Sequence, residues 1–171
     1  MKILKNISAA STAAEVDMEH KMKIVDPDVL MEPLLALVEE AQTVPLVISG
    51  SSMTPFLAHG RDTVYLSRVE KPLRKGDMVL YRRQSGFYIL HRVFKAEPDG
   101  YTMVGDAQTQ LEPGISPEQV CAVVTAVRRK GKLLQSGSFW WDFFEKVWIR
   151  MVPLRPTVRY AYCFMKKMLG K

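Results

Sequence analysis

Between Val44 and about Arg129 the chain alternates short apolar runs with clusters of Gly, Asp and Pro. The runs are "VPLVIS", "DTVYLS", "DMVLYRR", "FYILHRVF", "GYTMVG" and "QVCAVVTAVRR". They are rich in Val, Ile, Tyr and Phe, side chains that suit a pleated, half-buried surface. Within them "RRQSGFY" reads as a tight hairpin. Many strands with short connections predict a mainly β domain over 44–135, a compact sandwich or barrel-like sheet. On either side the period changes to helical. "VDPDVLMEPLLALVEEAQ" predicts a helix within 25–43, with Asp26 as cap, Pro27 in the first turn and Pro33 kinking or restarting it. Residues 1–24 are polar and aperiodic, and are expected to form a mobile arm. The last segment, 136–171, begins with "FWWDFFEKVWIRMV", in which Asp142, Glu145, Lys146 and Arg150 fall largely on one side and aromatics cover the rest. Pro153 and Pro156 interrupt it, and Pro156 can start a second helix ending near Gly170.

Charge sharpens the view of that tail. The chain of 171 residues carries a net +6, but Arg128 to the end alone carries +9, leaving −3 before it. The same tail holds all three tryptophans, so it is expected to meet an anionic surface. At 47% hydrophobic and 25% charged the rest is ordinary globular composition. Cys121 and Cys163 fit no metal or redox spacing, and His20, His59 and His91 are too scattered for a metal cluster. No apolar run approaches the ~18 residues that a membrane span requires, and the N-terminus lacks the apolar core of a signal peptide.

Candidate chemistry sits in "SGSSMTPFL", residues 49–57. Flanking Gly and Pro make a turn, and a turn alone accounts for them. The same turn also meets the needs of a nucleophile. A serine hydroxyl requires a base and donors for the oxyanion formed on attack, and the backbone N–H of Ser52 is the natural first donor. The base must come from elsewhere. In "GFYILHRVF" strand alternation puts Phe87, Ile89, His91 and Val93 on one face, so His91 lies among apolar side chains, either as a packed histidine or as a base. In "VGDAQTQLEPG" Asp106 and Glu112 offer carboxylates that can orient an imidazole, or simply an acidic surface turn.

Taken together, Gly50 to Val127 resembles the serine peptidases that include type I signal peptidases and the self-cleaving phage and SOS repressors. "GSSMTP" is similar to their G-x-S-M-x-P turn, "LRKGDMVLYRR" to their G-D run before a strand, "LHRVF" to the H-R-V of the endoplasmic-reticulum and spore-former types, and "VGDAQ" to their G-D-N-N turn. The resemblance implies the mainly β peptidase fold of that family, to which the flanking pattern adds an N-terminal helix and C-terminal helices. It implies Ser52 as nucleophile, His91 as base, and Glu112 or Asp106 as the acid. It also implies substrate or oxyanion contacts at Gly50, Ser51 and Met53, and no metal or organic cofactor. Many bacterial relatives have a Ser where this chain has Gly50, so the oxyanion hole is either backbone-only or uses Ser51.

The leading expectation is a serine endopeptidase acting on an extended peptide, leader or precursor protein. A self-cleaving regulator is the first alternative, but the 43 residues before "VPLV" are too few for a helix-turn-helix domain with a linker. The second is a non-catalytic relative binding peptide or nucleic acid. Nucleic acid is the less expected partner, because the tail's Trp140, Trp141, Phe144, Trp148 and Arg150 suit an anionic membrane surface. The alternative is that these aromatics pack on the β domain and leave a solvated basic face. With no span and no signal peptide, the chain is expected in the cytoplasm or held peripherally at a membrane.

Overall fold

A computed structural model describes residues 27–158 and 160. The expected arm over 1–24, Cys163 and the helix end near Gly170 lie outside the described residues. The chain divides into two compact units, Met1–Pro33 and Leu34–Lys171. Helix α1, Pro27–Glu39, contains Pro33 and ends before β1. Within the larger unit its Leu34 and Val38 are buried.

Eight strands follow, all antiparallel: β1 Val44–Val47, β2 Thr63–Ser67, β3 Met78–Arg82, β4 Tyr88–Glu97, β5 Gly100–Val104, β6 Glu112–Ile115, β7 Val120–Arg129 and β8 Lys132–Gln135. They form one sheet in the order β1-β2-β7-β3-β4-β5-β6, with β8 added to β7. The mainly β expectation holds, but the sheet does not close into a barrel: β1 and β6 are its two ends. "RRQSGFY" forms the expected hairpin, closed by Arg83 N–H to Phe87 O at 2.9 Å.

Two strands escape the sequence pattern. β6 reads "EPGI", and Pro113 is tolerated there because an end strand needs hydrogen bonds on one side only. β8 returns from β7 through Lys130-Gly131, both with positive φ, the geometry of a two-residue hairpin turn.

Alternation along the strands makes two apolar layers. On one face Val79, Tyr81, Val93, Met103 and Ile115 pack with Leu73. Here the sheet must curl. β3 and β6 are three strand spacings apart, ~14 Å if flat, yet the Tyr81 hydroxyl reaches Glu112 at 2.7 Å. On a second patch Phe94 and Val104 meet Ile149 and Val152 of the tail.

The described part of the tail therefore packs several of its apolar side chains into the core. It runs as short helical turns, α2 Phe139–Asp142, a wider turn over Phe143–Val147, and tighter turns over Trp148–Arg150 and Val152–Leu154. Trp141, Phe144 and Trp148 are buried, and Phe144 lies 4.7 Å from Phe56 ring to ring. Of the two readings of this stripe, packing on the β domain describes Trp141, Phe144 and Trp148. Of the five marked residues only Trp140 and Arg150 stay exposed, because an aromatic stripe loses as much water contact against a sheet as against lipid. No helix among the described residues is long and apolar enough to cross a membrane.

If the tail is core, Trp148→Ala costs about 3–5 kcal/mol of fold stability, read as a lower urea midpoint with an unchanged slope. A tail that only contacts membrane would leave the midpoint where it was.

Candidate active site

The serine turn joins β1 to β2. Gly50 takes φ +86°, a left-handed conformation that favours glycine. Ser51 O accepts from both the Thr54 N–H and its hydroxyl, at 3.1 and 2.8 Å, which closes the turn. Beyond it Met53, Phe56 and Leu57 plunge into the core. The loop is held from outside by Arg129, whose Nε donates to Phe56 O at 2.6 Å, and by buried Asp62, which accepts from the N–H groups of Ala58 and Lys130. Ser51 ends up exposed and Ser52 half-buried. Met53 corrects an expectation: its side chain is core, so only its backbone can face a substrate.

Ser52 and His91 meet at Gly105. A Cβ built on Gly105 would lie 2.7 Å from Ser52 O and 3.0 Å from His91 Nε2. Ala107 N–H donates to Ser52 O at 2.8 Å, stitching the serine turn to the loop after β5. Only a residue without a side chain lets these three segments close together at this point.

The other imidazole nitrogen faces a relay. His91 Nδ1 is 3.2 Å from the Tyr81 hydroxyl, and that hydroxyl donates to Glu112 Oε2 at 2.7 Å. Pairing of Val79 with His91 makes Tyr81 a diagonal cross-strand neighbour of the histidine, within reach of a long aromatic. Glu112 itself stands 4.0 Å from Nδ1, beyond hydrogen-bond range. It is anchored by Arg83, whose Nε donates to Oε1 at 2.6 Å. That hydrogen bond is the main reason the Glu112 carboxyl sits below its usual range, against the opposing effect of burial. Burial, and then the hydrogen bond to Glu112, push the Tyr81 hydroxyl up, so it keeps its proton. With that single proton donated to the carboxylate, the phenolic oxygen accepts from His91 Nδ1–H. The lone pair is then on Nε2, the side of Gly105 and Ser52. Burial lowers the His91 pKa to about 4, partly offset by Glu112, so the imidazole is neutral at pH 7.

Of the two carboxylates the sequence offered, Asp106 is engaged elsewhere. Its carboxylate is fully buried and accepts from Arg92 Nε at 3.0 and 3.2 Å. Arg92 follows His91 on the strand and alternates to the opposite face, so Asp106 serves that face and not the imidazole. The loop around it is tied to the tail: Trp148 Nε1 donates to Asp106 O, and Arg155 Nη1 to the carbonyls of Gly105 and Gln108, both at 2.7 Å. Tyr81, Arg83 and Arg155 belong to no motif that marks them as site residues. The alternation in "LYRR" places Tyr81 and Arg83 on one face and could have suggested the first two. Among the described residues no three His, Cys, Asp or Glu side chains gather to hold a metal ion.

Three substitutions separate these roles. If Ser52 and His91 act as nucleophile and base, Tyr81→Phe, which removes the bridging hydroxyl, is expected to cut kcat about 10- to 100-fold with the fold kept. On the same premise Gly105→Ala, which wedges a methyl between the Ser52 carbonyl and His91, is expected to abolish turnover. Asp106→Asn is expected to cost about 3–5 kcal/mol in urea unfolding, because it leaves the Arg92 charge buried and uncompensated. A stable Asp106→Asn protein that lost only turnover would return Asp106 to the acid's place. No protein-family model matches the chain, and no curated protein matches it.

Proposed function

We propose that the chain is a serine endopeptidase of the signal-peptidase-like type, and that its curled sheet is a variant of that peptidase fold. The observation that carries the reading is the convergence on Gly105 of the Ser52 turn and His91 Nε2, with Nδ1 backed by Tyr81 and Glu112.

In this mechanism Nε2 takes the Ser52 hydroxyl proton as the oxygen attacks the peptide carbonyl. The oxyanion accepts from the Ser52 backbone N–H, with the Ser51 hydroxyl beside it. The imidazolium then donates from Nε2 to the leaving amine, and water hydrolyses the acyl-serine by the same route in reverse. Positive charge on the ring is met by Glu112 through the Tyr81 hydroxyl. Such support matters here, because burial alone disfavours the protonated imidazole.

Fluorophosphonate labelling followed by peptide mapping tests the serine. Modification should fall on Ser52 and vanish in Ser52→Ala and in His91→Ala, whereas Ser51→Ala keeps at least partial labelling and cleavage. Labelling confined to Ser51 would overturn the assignment.

Acid should act in two separate windows. Turnover needs neutral His91, so kcat/KM should stay level from neutral pH downward and fall only as pH drops through about 4. Stability is lost earlier. Between the free imidazole value of ~6.5 and about 4, the unfolded chain binds a proton that folded His91 refuses, so unfolding becomes easier as pH falls. His91→Gln should flatten that slope in urea titrations. A kcat/KM profile breaking near pH 6.5 would show that the imidazole is not held as described.

A further inference from the structure

Beside the serine turn lies a cavity of about 820 Å³ whose walls come from two directions. Ser51, Pro55 and Ala107 form the side next to Ser52, while Trp140, Phe143 and Trp148 of the tail form the other. Most of its polar lining groups are already committed within the protein; the Ser51 hydroxyl and Arg155 Nε are the exceptions. Trp148 Nε1 is spent on Asp106 O, the Asp106 carboxylate on Arg92, and the Arg155 Nη atoms on the carbonyls of Gly105, Gln108 and Trp148. Arg129 lies 5.3 Å over the Trp140 ring and donates to Phe56 O and Pro55 O. Apart from the Ser51 hydroxyl and Arg155 Nε, what remains to recognise a ligand is largely ring and methyl surface.

We infer that this cavity receives bulky apolar side chains of the peptide substrate on one side of the bond that Ser52 attacks. The position rests on the peptidase reading above; the apolar selectivity rests on the walls. A methyl-sized side chain would leave most of such a cavity unfilled, whereas aromatic or branched chains would displace poorly bonded water from it. Ala107 marks the other limit. It also lines a second hollow, of about 560 Å³, together with Arg83, Gln108 and Glu112. A strand of substrate crossing Ala107 thus passes from an apolar hollow to a polar one. The substrate class is a peptide with a bulky apolar cluster on one flank of the scissile bond and polar residues on the other.

The test uses the full chain carrying Ser52→Ala and two capped peptides. One places Phe-Leu beside a polar tetrapeptide; the other has Ala-Ala there. Calorimetry and tryptophan emission, which senses Trp140 and Trp148 in the wall, read binding. The Phe-Leu peptide should bind at least about tenfold more tightly, with an emission shift. Phe143→Asp should abolish that preference. Val158→Trp, which narrows the cavity from its lining, should weaken Phe-Leu binding without touching Ala-Ala, and keeps the test open should Phe143→Asp fail to fold. Leu154→Asp, exposed and outside the lining, serves as control. Equal binding of the two peptides, a preference that survives Val158→Trp, or tighter binding of decanoate than of Phe-Leu would overturn the inference. Selective binding by Ser52→Ala without cleavage by the parent chain would instead remove the peptidase reading and leave the pocket. Cleavage of both peptides with equal kcat/KM would do the reverse.

Discussion

The buried pair of Arg92 and Asp106 is the constraint on which the arrangement of the site depends. Both side chains are cut off from water, and each makes the other tolerable there. Arg92 also donates to Gly76 O at 2.8 Å, reaching the segment before β3. Because Arg92 is the next residue after His91, fixing its guanidinium fixes the strand that aims the imidazole. Because Asp106 is the next residue after Gly105, fixing its carboxylate fixes the backbone against which Ser52 and His91 close. One ion pair on the far face of the strand thereby sets geometry on the near face. It is not fully compensated: Arg92 Nη2 and Arg155 Nε lack acceptors among the described residues. Burial pushes the Asp106 carboxyl upward, and the two guanidiniums pull it back.

The imidazole is handled differently. His91 has no carboxylate in contact, and its charge is held off by burial, with the phenol of Tyr81 between it and Glu112. Arg83, on the outer side of Glu112, keeps that carboxylate ionised while lowering the histidine a little further. A tyrosine bridge lets the acid stay half-exposed and well solvated while its influence is carried inward by hydrogen bonds.

Much of the sheet was legible because its strands are long enough to alternate and are bounded by Gly, Asp and Pro. β6 was not, because "EPGI" contains the residues that usually end strands, and only its place at the end of the sheet excuses them. Of the candidate site, the turn at Ser52 and the strand at His91 were visible as local patterns. The choice between Glu112 and Asp106 was not, since it depends on how far the sheet curls between β3 and β6, which no local spacing records. Tyr81 stayed hidden for the same reason. In the tail, the stripe of aromatics was plain, but periodicity reports that a face leaves water and not what it leaves water for.

The pinning of the loop after β5 by Trp148 and Arg155 has a consequence for the order of events on the ribosome. A nascent chain contains the serine turn and the histidine strand long before it contains either tail residue. Until the tail is made, Phe56 lacks Phe144 and Trp141 against its ring, and the carbonyls of Gly105, Asp106 and Gln108 lack their tail donors. Ser52 and His91 are therefore translated early and the tail contacts come late, so that a partly made chain carries both side chains without the packing that pins the loop after β5.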